Sequence, residues 1–285
     1  MSRRSVNAWL LVLPAMVLLV RPPAAALWDS FHATPRAGHA GAWVGLENYR
    51  VMAGDEVFWR SLRNNVVYAI ATVPVSIALA LVMALWVDSA LRGRTWLRVA
   101  FFTPTILPMI AVANIWLFFF TPQYGLLDKA LSLAGAGERN WLGSPETALA
   151  CVCVVAIWKE AGFFMIFYLA ALQSIPPTLA EAAAIEGASR GYYLRRVVLP
   201  LLMPTTLFVA VNALINAFRL VDHIVVMTHG GPDNATSLLL FHIYQVGFSF
   251  WDTGYAAALT VVLLAILGTA AIGQFVFLDR KVHYQ

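Results

Sequence analysis

The chain has 285 residues, of which 60% are hydrophobic and only 12% charged, with a mean hydropathy of +0.73. Soluble domains carry about 25% charged residues, so this balance excludes an ordinary soluble enzyme and predicts an all-α, polytopic membrane protein. The net charge of +4 is assigned to the orientation of membrane spans, not to nucleic acid, because no basic patch interleaves with exposed aromatics.

Taken in order, the apolar runs predict six transmembrane helices in one domain, over residues 8–28, 62–87, 99–120, 147–172, 197–219 and 255–278. Arg3 and Arg4 precede the first run as they would in a signal peptide. Arg21-Pro22-Pro23 interrupts it and no small-residue cleavage site follows, so it is read as a retained span. A polar loop covers 29–61. Pro74 predicts a kink in the second span, and a basic loop with Arg92, Arg94 and Arg98 follows it. The third span carries Pro104, Pro108 and Asn114, a pattern tolerated in membranes where a broken helix lines a cavity or packs on neighbours. An outer loop over 121–146 leads to the fourth span, which holds Lys159-Glu160 near its middle. After the fifth span, 220–254 is read as an outer segment in which Leu238 to Phe250 is too short to cross and lies at the interface. Trp28, Trp141, Trp251 and Tyr255 are read as interfacial anchors. Cys151 and Cys153, the only cysteines, face different directions on one helix and are read as small core residues.

Charge sets the orientation. With both termini inside, the inner segments hold ten basic and four acidic residues, and the longer outer loops hold seven basic and ten acidic. The positive-inside rule then places 173–196 in the cytoplasm.

That loop has the densest pattern in the chain. Pro176-Pro177 ends the fourth span. Thr178 followed by Glu181 reads as a capping box, Ala182, Ala183 and Ala184 favour a thin helix that another protein can approach closely, and Gly187 and Gly191 permit a bend. Pro200 suits the first turn of the next span. The whole stretch from Glu181 to Pro200 is read as a docking surface for a soluble partner. It also contains a decoy: Gly187-Ala188-Ser189-Arg190-Gly191 fits G-x-S-x-G, the pattern of a serine nucleophile. An intramembrane serine protease would need a histidine within reach of Ser189. His32, His39, His223, His229 and His242 all fall on the outer side, and His283 lies in the tail. No H-E-x-x-H and no G-x-x-x-x-G-K-[ST] occurs, so neither a zincin nor an ATPase is indicated.

Glu181-Ala182-Ala183, then Gly187, then Val197-x-Leu199-Pro200 resembles the EAA signature of ABC-importer permeases, with valine where isoleucine is usual. Trp158-Lys159, Gly162-Phe163, Leu169 through Pro176, Asn216-Ala217-Phe218, Asp222, Thr228-x-Gly230-Gly231-Pro232, Thr236 and the tail Arg280 to Tyr284 are similar to the MalF/UgpA-like branch of that family. The large periplasmic insertion of some members is absent. The resemblance implies a type I importer permease whose cytoplasmic loop forms a coupling helix, with Glu181, Ala182, Ala183, Glu186, Gly187, Leu199 and Pro200 engaging an ATPase. It implies a second permease subunit, two ATPase copies, an extracytoplasmic solute-binding protein and surrounding lipid as partners. ATP and Mg belong to the ATPase, with no cofactor or catalytic residue in this chain. The place is a bacterial cytoplasmic (inner) membrane, and the cargo a carbohydrate, polyol or glycerol 3-phosphate. A secondary transporter of small polar solutes is the alternative class.

The polar residues inside spans have two readings each. Asn114, Lys159, Glu160, Asn212 and Asn216 either line the solute path or join helices to one another, since ionisable and amide groups at membrane depth face a cavity or a partner. Asn212 and Asn216 share a helix face. Gly230, Gly231 and Pro232 form a turn whose outer position also suits contact with the binding protein.

Overall fold

A computed structural model describes residues 16, 19–35, 41–89, 93–133, 135 and 139–279. The expected first span lies partly outside these residues, as do Arg3, Arg4, Arg92 and the tail from Arg280. Helices account for nearly everything described: α1 (19–29), α2 Glu47–Gly54, α3 Glu56–Ser89, α4 Arg94–Ile106, α5 Met109–Phe120, α6 Leu126–Leu133, α7 Ala148–Ser174, α8 Pro177–Ile185, α9 Arg190–Tyr193, a π turn Leu194–Val198, α10 Leu199–Leu201, α11 Met203–Arg219, α12 Asp222–Met227, α13 Leu239–Tyr244, a second π turn Gln245–Ser249, and α14 Thr253–Asp279. Four helical segments among the described residues are long and apolar enough to cross a membrane: Glu56–Ser89, Ala148–Ser174, Met203–Met227 and Thr253–Gln274. The pair α4 and α5 makes a fifth if counted as one broken span.

The chain divides into two units, 1–59 with 239–268 and 60–238 with 269–285. In the second, α7 is the hub. It packs on α4, α5, α11 and α12, and its buried residues point all round the helix, from Val152 and Val155 to Phe164 and Tyr168. One core joins Ala80, Met83 and Ala84 of α3 to Phe164, Met165 and Leu169 of α7 and to Val209 and Ala213 of α11. Another joins Met109, Val112 and Phe120 of α5 to Cys151 and Val155 of α7 and Met227 of α12. Both cysteines are free and buried. Small residues set the spacing: a Cβ added at Gly162 would stand 2.2 Å from the Phe101 carbonyl oxygen, so α4 lies on α7 backbone to backbone there.

In the first unit a bridge pairs His32 with Trp43, and the Asn48 amide donates to the carbonyls of Ser30 and His32. Thr34 donates to Asp252 and accepts from the Gly254 N–H. The Asp55 carboxylate accepts from the Tyr255 hydroxyl at 2.6 Å and from His242 Nε2 at 3.2 Å.

Several expectations change. The third run is two helices bent by 102° at Leu107-Pro108. The fifth run does not stop at Arg219: after a short break at Leu220 and Val221 it continues through α12, so Asp222 and His223 belong to the Met203–Met227 segment and not to an outer loop. In the stretch 238–250 Leu238, Leu239, Phe241, His242 and Val246 are buried, while Tyr244, Phe248 and Phe250 are exposed. Tyr255 is buried as well and bonded to Asp55, so it is no bare anchor, and Trp141 is tied by its indole N–H to Asp128 at 2.6 Å.

Candidate functional site

The fourth span ends where Ser174 turns its hydroxyl back to the Ala171 carbonyl and Pro176 adopts extended backbone. Helix α8 starts at Pro177, which sits at the first helical position, where its missing N–H is harmless. The capping box expected at Thr178 is therefore absent: the helix begins one residue earlier and no side chain caps it. Its end is better defined. Gly187 takes φ +73°, the Gly187 N–H donates to the Ala184 carbonyl at 3.1 Å and the Ala188 N–H to the Ala183 carbonyl at 2.9 Å. These are the two bonds of a Schellman motif, which needs the left-handed conformation at that position. Gly187 is thus the hinge; Gly191 has no positive φ and lies inside α9.

Ser189 then caps α9, accepting from the Tyr192 N–H at 3.3 Å. Its hydroxyl serves the backbone, and among the described residues no imidazole is bonded to it. The chain returns to the core through the π turn: Val198 and Leu202 are buried in it, with Tyr193 and Leu194 packed alongside. Arg195 and Arg196 stay exposed. Leu199 is half-buried and Pro200 exposed.

None of the residues of α8 is buried, in contrast to α7 and α11, whose sides are packed into the core. Glu181, Ala182, Glu186 and Gly187 are exposed, Ala183 is half-exposed, and Ile185 has 87% of its surface free. An open groove of about 570 Å³ runs beneath it, between Trp86 at the end of α3, Leu172 at the end of α7, and Pro177, Arg190 and Tyr193.

Within the spans, the structure separates the expected Lys159-Glu160 pair. Lys159 Nζ donates to the carbonyls of Pro104 and Leu107. Glu160 accepts from the Asn216 amide of α11 at 2.7 Å. Asn114 is exposed and Asn212 half-exposed, and among the described residues each amide bonds the carbonyl one turn back, Ile110 and Phe208. Asn216 and Asn212 share a side of α11 but not a surrounding. Other polar groups were not anticipated. Tyr68 and the fully buried His223 share a hydrogen bond of 3.1 Å, and the Asn65 amide donates to the Ala217 carbonyl. The adjacent Asn64-Asn65 in an otherwise apolar run was the signal for the last.

The Gly230 to Pro232 turn is held from within. Gly230 has φ +80° and is buried, and the Thr236 hydroxyl bonds both Thr228 Oγ1 and the Gly231 carbonyl. Asn64 ties this loop to α3 through the carbonyls of Asn234 and Ser237. Gly231 and Pro232 are half-exposed; the freely exposed neighbours are His229 and Asp233.

In the second unit apolar helices long enough to cross a membrane pack around α7, which fits a membrane-embedded protein. The chain belongs to the family of binding-protein-dependent transport system inner membrane components, whose model matches residues 76–284. It is a multi-pass inner-membrane permease of an ABC importer, a transport component and not an enzyme. It is 34% identical to the sn-glycerol-3-phosphate transport system permease protein UgpA of Agrobacterium fabrum, over 97% of this chain and 96% of that one. It is also 34% identical to the sulfoquinovosyl glycerol transport system permease protein SmoG of the same organism, over 91% and 86%. To the trehalose/maltose transport system permease protein MalF of Thermococcus litoralis it is 33% identical, over 93% and 91%. Its fold matches a chain in the crystal structure of a bacterial ABC transporter involved in the import of the acidic polysaccharide alginate, with TM-score 0.86 at 22% identity over 99% of this chain and 98% of that one.

Proposed function

We propose that this permease couples ATP hydrolysis in a partner to solute uptake through α8, and the observation that carries the reading is that α8 buries nothing of its own. A helix left bare by its own chain, rich in alanine and closed by a fixed glycine hinge, suits insertion into a cleft of another protein. In this reading Glu181, Ala182, Ala183, Glu186 and Gly187 form the contact, while Leu199 and Pro200 carry its motion into α11. The chain has six spans, with both termini and the 176–196 loop in the cytoplasm, as the excess of inner arginine favours. It pairs with a second permease of similar fold, two copies of an ATPase that bind ATP and Mg, and an extracytoplasmic solute-binding protein. Docking that differs in strength between inward-open and outward-open states drives the alternation, because a partner shifts an equilibrium only by its differential affinity.

Asn114 and Asn212 stand on open faces of their helices, and amides at membrane depth favour water or a protein partner over lipid. They line the solute path, with Glu160, Asn216 and Lys159 behind them. The Gly230, Gly231 and Pro232 turn receives the binding protein. The cargo is a polyhydroxylated solute, sn-glycerol 3-phosphate or a small saccharide, in line with the names of the relatives. In reconstituted vesicles, Glu181→Ala should abolish ATP-driven uptake while the protein remains in the membrane. Uptake that continues without the ATPase would instead identify a secondary carrier. Ligand binding to the cognate binding protein, assayed with sn-glycerol 3-phosphate and with maltose, decides the cargo.

A further inference from the structure

The break between α4 and α5 falls at Leu107-Pro108. In a continuous helix the N–H of residue 108 would close on the carbonyl of Pro104, four residues back. Proline has no N–H, and Leu107, at ψ 137°, has already left the helix. The carbonyls of Pro104 and Leu107 therefore lie at a bend within an apolar segment, where an unpaired backbone oxygen is costly. Both accept from the same donor, Lys159 Nζ, at 3.2 and 2.5 Å.

We propose that Lys159 is a positioning residue: its ammonium replaces the backbone donor that Pro108 lacks and so holds the 102° elbow between α4 and α5. The surroundings are arranged for this. Gly162 stands three residues further along α7, on the same face, and admits the α4 backbone at Phe101. Beyond the elbow, α5 packs on α12. Both arms pack on α7, and Lys159 of that helix bonds the corner between them. The neighbouring Glu160 carboxylate accepts from Asn216 on α11. Through the elbow, Lys159 sets the direction of α5 and with it the position of Asn114. This goes beyond the proposed function and does not depend on the identity of the cargo.

The test uses the whole transporter, purified with its partner subunits, in a Cys151→Ala, Cys153→Ala background. Spin labels at Trp96→Cys on α4 and Phe118→Cys on α5, both exposed positions, report the elbow by pulsed electron resonance. A single narrow distance distribution is expected in the parent and in Lys159→Arg, whose guanidinium can serve both carbonyls. Lys159→Met should lose the narrow peak. Pro108→Ala, which returns an N–H to position 108, should restore a single peak when added to Lys159→Met, at a longer distance as the helix straightens. If Lys159→Met alone fails to accumulate, the added Pro108→Ala should recover it, and no recovery would overturn the proposal. So would a parent-like distribution in Lys159→Met, or a distribution in Lys159→Arg as broad as that of Lys159→Met.

Discussion

The Asn216 amide donates to the Glu160 carboxylate at 2.7 Å and so joins α11 to α7. Bonds of this kind between spans are worth about 0.6–1.7 kcal/mol. Asn216→Ala should lower the thermal unfolding midpoint of the purified complex by a corresponding amount, and Glu160→Ala likewise. The double variant should lose less than the two single losses together, because residues in contact are not additive. Strict additivity would show that the two side chains do not act as a pair.

Gly162→Ala tests the closest helix approach. The new Cβ would meet the Phe101 carbonyl oxygen, and backbone cannot turn aside as a side chain can. Overpacking of this kind costs about 1–3 kcal/mol, so the variant should unfold at a clearly lower temperature. Parent-like stability would mean that α4 and α7 stand further apart than described.

At Gly187 the cost has a different origin. No atom lies within 4 Å of a Cβ built there, so Gly187→Ala meets no clash, only the left-handed backbone at φ +73°. That conformation costs a non-glycine residue about 1–2 kcal/mol. If the strain is released by undoing the end of α8, retention of the ATPase on the permease should weaken by about tenfold, and uptake should fall with it. Gly187→Asn should be milder, since asparagine visits this region more readily. Full ATPase retention in Gly187→Ala would separate the hinge from coupling.

Acid should destabilise the cluster around Asp55. Burial pushes the His242 imidazole below its ordinary value of 6.5, and Asp55 opposes this only in part. Burial also acts to raise the Asp55 carboxyl, but hydrogen bonds from Tyr255 and Val57, together with His242, hold it below its ordinary 3.8. For both groups the unfolded chain takes up protons at higher pH than the folded one. The contribution of His242 is therefore complete above 6.5 and is lost as pH falls through its lower folded value, while that of Asp55 is lost only below 3.8. The unfolding midpoint should drop between pH 7 and pH 5, and His242→Gln should flatten that slope. A midpoint that rises on acidification would reverse the sign.

Local sequence carried part of this fold. Apolar length alone placed α7 and α14 within two residues of their observed ends, and the run Ala182-Ala183-Ala184 followed by Gly187 announced α8 and its hinge. Asp222 and His223 fall in the 220–254 segment that was read as lying outside the fifth span. What keeps them in a helix is Tyr68, whose hydroxyl meets His223 from 155 residues away, beyond the reach of any window. The elbow at Pro108 was suspected from its prolines, yet its depth depends on Lys159, which the sequence shows only as the neighbour of Glu160. Thr178 misled for a simpler reason: Pro177 can itself open a helix, and it does so before the threonine has a helix to cap.

The bareness of α8 has a consequence for the life of the subunit. A helix with no buried side chain has little tertiary energy to hold it shut, and such segments open at small cost. Arg190 stands exposed just beyond it. In the proposed docking, a copy that has not found its ATPase carries this site in the open and a docked one covers it. Trypsin nicking at Arg190 would count the undocked copies.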